Sequence, residues 1–130
     1  MATSLPRPQR TVTAEFYRTA TGKEPVRAWL KTLSVAERQA IGIAVRKVEY
    51  GWPIGMPTCD APGDGLWEIR INLGNRIARI LFCRVGAHVI LLHGFIKKSR
   101  TAPNVELDAA RTRKADLLAR LRVAEAQRHA

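Results

Sequence analysis

The chain has 130 residues, enough for one domain around a single core and little more. Apolar residues make up 46% of it and charged residues 25%, which excludes an intrinsically disordered chain, and no apolar run approaches the roughly 20 residues of a membrane span. Twenty-two Lys and Arg against eleven Asp and Glu leave a formal charge of +11, beyond the ~2–8 that keeps a small domain dissolved, so a polyanion such as nucleic acid or the ribosome is the expected partner.

Residues 1–10, rich in Pro, Arg and Gln, read as a disordered tail without the apolar segment of a signal peptide; the domain is expected over 11–125, in the cytoplasm, with no membrane contact. Thr11 to Tyr17 sets Val12, Ala14 and Phe16 on one face of a short strand, and Gly22 breaks the pattern. Pro25 opens a helix with Val26, Trp29, Leu30 and Leu33 at helical spacing. Ser34 and Glu37 form a capping-box pair that starts a second helix, with Ile41, Ala44, Val45 and Val48 on one side and Gly51-Trp52-Pro53 at its end. The two helices are expected to form an antiparallel hairpin whose apolar side rests on a sheet.

Ile54 to Asp64 is Gly- and Pro-rich and reads as a loop. Leu66 to Ile71 then alternates, with Trp67, Ile69 and Ile71 on one face and Glu68 and Arg70 on the other. Asn72-Leu73-Gly74-Asn75 carries turn chemistry. Arg76 to Val85 forms the next strand, with Ala78, Ile80 and Phe82 facing one way and Ile77, Arg79 and Leu81 the other. After Gly86, His88 to Ile96 is apolar on both faces, as a central covered strand would be, and the three strands make an antiparallel meander. Pro103 suits the first turn of a final helix carrying Val105, Leu107, Ala110, Leu117 and Leu121, whose last residues are expected to fray. The fold class is α+β.

Familiar catalytic signatures are missing from the sequence. Cys59 and Cys83 have no CxxC spacing and read as reduced thiols, Cys83 as a packed strand residue. His88 and His93 are five positions apart on a strand, which puts them on opposite faces and prevents joint metal ligation; His93 reads as a packed residue and secondarily as an acid or base. No Walker loop or GxGxxG occurs, and neither metal nor cofactor is expected. Trp29 and Trp67 read as core rather than as a base-stacking platform.

What stands out is cationic. If the Glu68/Arg70 face is continuous with the Arg79 face, Arg70 and Arg79 become cross-strand neighbours, and Lys97 or Lys98 reaches the same side where the central strand runs out. Like charges placed so destabilise by a few tenths to about 1 kcal/mol per pair, unless an anion sits between them. RNA carries both its own nucleophile, the 2′-OH, and its electrophile, the adjacent phosphorus. Arginine holds phosphate oxygens in a planar fork, and a lysine crowded by other cations gives up its proton more readily. Arg70, Arg79, Lys97 and Lys98 are therefore the candidate catalytic set, with Arg76, Arg84 and Arg100 as candidate RNA contacts.

Three blocks taken together resemble a known family: Gly65-Leu66-Trp67-Glu68-Ile69-Arg70, then Arg76-Ile77-Ala78-Arg79-Ile80, then Leu91-Leu92-His93-Gly94-Phe95-Ile96-Lys97-Lys98-Ser99 with Pro103 following. They are similar to the phage-derived RelE-like toxins, often called HigB-type, over about residues 11–115. The resemblance implies a RelE-like fold, a helical hairpin packed on an antiparallel sheet with a C-terminal helix. It also implies the toxin of a type II toxin–antitoxin module, a metal-independent mRNA endoribonuclease acting on translating ribosomes and held by a helix-turn-helix (HigA-like) antitoxin. Basic sheet residues carry catalysis in such toxins, and by motif position these are Arg70, Arg79 and Lys98, with Lys97 adjacent. Asn104 falls near the point where some relatives carry an aromatic residue, and Ala102 stands where a Thr is common. ParE-like relatives, which inhibit gyrase, and a non-enzymatic basic module held by an antitoxin are the alternatives.

Overall fold

The computed structural model describes residues 9–53, 59–98 and 104–129. In chain order it contains β1 (Thr13–Phe16), α1 (Pro25–Leu30), α2 (Val35–Gly51), β2 (Cys59–Gly63), β3 (Leu66–Asn72), β4 (Ile77–Val85), β5 (His88–Ile96) and α3 (Asn104–Arg128). The strands form one sheet in the order β1-β5-β4-β3-β2. The α+β architecture expected from the sequence is present, with both N-terminal helices on one face and α3 on the other.

Local chemistry explains the element boundaries. Pro25 occupies the first turn of α1, where its missing N–H costs nothing. Ser34 accepts a hydrogen bond from the Glu37 amide at 3.2 Å while the Glu37 carboxylate accepts from the Ser34 amide at 3.1 Å, which closes the capping box at the start of α2. Asn72 Oδ1 accepts from the Gly74 amide at 2.8 Å, and Gly74 takes a φ of +99°, so the β3–β4 hairpin needs both residues as they are.

The sheet differs from expectation in two respects. Part of the segment read as a loop, Cys59–Gly63, pairs antiparallel with β3 as an edge strand, so the meander has four strands; residues 54–58 lie outside the described ones. Pro62 misled the sequence reading, but an edge strand tolerates proline, and the ladder is irregular between Asp60 and Gly63. The sheet is also mixed rather than antiparallel throughout, because β1 runs parallel to β5, with Thr13 beside His88 and Phe16 beside Leu91. The intervening helices give the chain enough length to return in either direction.

Each sheet face carries its own core. Beneath the N-terminal helices, Val26, Ile41 and Val48 pack on Ile69, Ile71, Ala78, Ile80, Phe82, Val89 and Leu91. Beneath α3, Ala110 meets Leu81, Cys83, Ile90, Leu92 and Phe95, with Tyr17 and Leu66 alongside. Trp67, Ile69 and Ile71 share the helix-side cluster as their alternation requires, and Trp29 and Trp67 pack against it as core residues. Cys83 is buried, which pushes its thiol pKa up and suits a packing role. α3 continues to Arg128, where fraying was expected, while Val105 and Leu121, read as core-facing, are exposed. A 25-residue helix is about 37 Å long, more than the ~30 Å of the nine-residue strands it packs on.

β5 contains a bulge. Leu81 pairs with His93 and Phe82 with Leu91, leaving Leu92 as an additional residue. Up to Leu91, even-numbered residues face α3; beyond Leu92 the odd-numbered ones do. His88 and His93 consequently share a face, contrary to the parity argument, although His88 pairs with Glu15 at 2.8 Å and His93 with Glu106 at 2.5 Å.

Candidate active site

The α3-side face of the sheet ends in a cationic corner. β3 places Glu68, Arg70 and Asn72 on it, β4 places Ile77 and Arg79, and β5 places Phe95, with Lys97 one pleat further on. Arg70 stands directly across the ladder from Arg79, as the alternation requires if the two faces are continuous, and Phe95 flanks Arg79 on the other side. The Lys97 amide donates to the Ile77 carbonyl at 2.8 Å, extending the ladder by one residue and fixing the lysine at the sheet's end.

The two arginines are not equivalent. Arg79 is 5% exposed, and its Nε lies 3.1 Å from Glu68 Oε1, both side chains being almost sealed from solvent. The Nε–H is not aimed along that line, so the contact is ionic rather than a well-formed hydrogen bond. Glu68 sits opposite Leu81, diagonal to Arg79, within reach of a long side chain. Arg70 is exposed, Lys97 half-buried and Lys98 exposed, and among the described residues none of these three makes an ion pair. Glu68 removes part of the repulsion between the facing arginines, so the corner can assemble without an anion and still present uncompensated positive charge.

A cleft of about 500 Å³ opens beside this corner, lined by Asn72, Asn75, Arg76, Ile77, Lys97 and Lys98 together with Gly74. Arg76 frames it but is already engaged: Nε and Nη2 fork onto the Glu37 carboxylate at 2.8 and 2.9 Å. That fork, together with the capping bond from Ser34, holds Glu37 at a pKa of about 2, well below the ordinary carboxylate value. Arg84 is not brought to the corner. It lies on the opposite face, donating to the Gly86 carbonyl at 3.3 Å and lining a separate cleft with Trp52 and Trp67. Arg100 falls outside the described residues.

Sequence reasoning missed a second cluster bordering the corner. Arg113, on α3, donates to the Leu92 carbonyl at 2.8 Å and to His93 Nδ1 at 2.9 Å. An arginine only donates, so Nδ1 accepts and Nε2 carries the hydrogen that bonds Glu106 Oε2 at 2.5 Å. His93 stacks on Phe95 with ring centroids 5.7 Å apart. The group supplies a partner for the bulge carbonyl and ties the first turns of α3 to β5; both nitrogens of His93 are occupied, which argues against a proton-transfer role in this arrangement. The partners lie 13 and 20 residues from His93, and no local pattern announces them.

Among the described residues no three His, Cys, Asp or Glu side chains group as metal ligands, and no helix is long and apolar enough to cross a membrane. No curated protein matches the chain. Residues 28–115, from α1 through the first half of α3, match the model of the phage-derived protein Gp49-like family (DUF891). With the helices on one face of the sheet, α3 on the other and the cationic corner between β3, β4 and β5, the chain belongs to this Gp49-like family, a RelE-like family of the toxin type.

Proposed function

We propose that the chain is the toxin of a type II toxin–antitoxin module and that its activity is metal-independent endonucleolytic cleavage of mRNA on translating ribosomes. The observation that carries this reading is the placement of Arg70 directly opposite Arg79, with Lys97 and Lys98 at the rim of the same corner. A phosphodiester resting there would meet Arg70 from solvent, with Arg79 sealed on Glu68 beneath it as the support of that surface. Charge growing on the non-bridging oxygens is stabilised by Arg70 and Lys98. Lys97 or Lys98 accepts the 2′-OH proton as the 2′-oxygen attacks phosphorus. The bond from phosphorus to the 5′-oxygen breaks and that oxygen is protonated, leaving a 2′,3′-cyclic phosphate and a 5′-hydroxyl.

The partners in this reading are mRNA and the ribosome, with a helix-turn-helix antitoxin of the HigA-like kind as the neutralising protein. The test adds purified protein to a translating extract and maps new 5′ ends. Cuts within the ribosomal A site, lost in Arg70→Ala, are expected. Intact mRNA with gyrase inhibition would replace this reading by the ParE-like one, and intact mRNA with active gyrase would leave a basic module without enzymatic activity.

A further inference from the structure

We propose that Arg76, oriented by Glu37, forms a second phosphate site that grips the RNA backbone at a nucleotide flanking the scissile one, with Glu37 as its positioning residue; the inference rests on the endonuclease reading. Three observations carry it. The first is the way the guanidinium is engaged. Nε and Nη2 fork onto the Glu37 carboxylate at 2.8 and 2.9 Å, which occupies two of the five N–H donors of an arginine. The end-on edge, formed by Nη1 and the second hydrogen of Nη2, has no partner among the described residues, and such an edge matches two oxygens of one phosphate.

The second is how firmly the fork is held. Glu37 Oε1 also accepts from the Ser34 amide at 3.1 Å, so the carboxylate is fixed on the first turn of α2 by the capping box. Its side chain is 17% exposed against 41% for Arg76, which makes the acid the inner partner and the arginine the outer one. An arginine already held in place loses less rotamer freedom when a ligand arrives.

The third is position. Arg76 lines the cleft together with Lys97 and Lys98, and it precedes Arg79 by three residues, about 10 Å along the direction of β4. A phosphate on its end-on edge is therefore a neighbour of the one on Arg70, farther along the same backbone. The two lysines keep the surroundings positive although Arg76 is itself balanced by Glu37.

The test separates orientation from charge. In Glu37→Gln, Oε1 is retained for the Ser34 amide, but an –NH2 group replaces the oxygen that accepts from Nε, so the fork opens while the cap stays. Removing a carboxylate from an RNA-binding surface by itself tightens binding. Glu37→Gln is expected to do the reverse, weakening binding of a short 2′-O-methyl RNA, a probe that cannot be cleaved, roughly fivefold at fixed salt. In an Arg76→Ala background the same substitution should have the ordinary sign and tighten binding. Circular dichroism confirms folding of each variant, and the Arg76 Nε–H resonance of the wild type should shift as the probe is added. Binding by Glu37→Gln at or above wild-type strength overturns the site, as does an Arg76 resonance unmoved at saturation; wild-type cleavage of RNA alongside either result leaves the nuclease reading standing. Weakened binding in Glu37→Gln, with no cleavage by the wild type, supports the site and removes the nuclease reading.

Discussion

Arg79 and Glu68 form a nearly sealed ion pair, 3.1 Å apart with each side chain 6% exposed, beneath an arginine that has no such partner among the described residues. The cationic corner is therefore layered: a neutralised, structural arginine below and an exposed one, Arg70, above. The two positions look alike in sequence, but their substitutions have different consequences.

Removing Arg79 strips Glu68 of its buried arginine. Arg79→Ala is expected to cost about 3–5 kcal/mol in urea denaturation, with part of it recovered when Glu68→Gln is added to neutralise the buried carboxylate. Loss of activity in Arg79→Ala alone would mix unfolding with chemistry. Equal stability of Arg79→Ala and the wild type would show that the pair carries no structural weight.

Arg70→Ala is the cleaner probe of function. The side chain is exposed and makes no ion pair among the described residues, so stability should change by no more than about 0.5 kcal/mol. Cleavage in a translating extract should fall roughly a hundredfold, the usual cost of one donor to a developing oxyanion. Wild-type cleavage by a folded Arg70→Ala would remove Arg70 from the mechanism.

Gly94 is needed for packing. It pairs with Ile80 on the helix-side face, where a Cβ would fall into the Trp29 indole. Gly94→Ala is expected to lose about 1–3 kcal/mol, because the Trp29 ring, packed on this face from α1, must give way to the added methyl. Adding Trp29→Leu should restore part of the loss; an alanine variant as stable as the parent would mean that α1 shifts freely.

Acid should weaken the chain partly through Glu37. Its folded-state pKa, about 2, lies below the ordinary value of 4.5, so as pH falls the unfolded chain takes up the proton first. The stabilisation is complete above the ordinary carboxylate range and is lost as pH approaches 2. Arg76→Ala should flatten that part of the stability–pH curve, and identical wild-type and variant slopes between pH 5 and 2 would exclude the fork as its source.

Much of this layout was legible in the residues, for identifiable reasons. The period-two patterns of Leu66–Ile71 and Arg76–Val85 placed Trp67, Ile69 and Ile71 on one side and Glu68, Arg70 and Arg79 on the other, and the observed register agrees. The capping box at Ser34 and Glu37 was equally local. What escaped depends on distant partners. A strand containing Pro62 looks like a loop until β3 is beside it, and the direction of β1 relative to β5 has no local signature. The pairing of Arg76 with Glu37 joins residues 39 apart, and the bulge at Leu92 shows only against the count of residues in β4.

That bulge divides β5 into two stretches of opposite phase. Deleting Leu92 would leave Leu91 and His93 as successive residues opposite Phe82 and Leu81, a regular ladder in which Gly94 and Lys97 keep their faces; what would be lost is the buried Leu92 side chain and the carbonyl that Arg113 bonds. Length variation is readily absorbed at the exposed turns of such a sheet and at the bulge itself, but a loss of one residue from the regular stretch after it would turn the cationic end inside out.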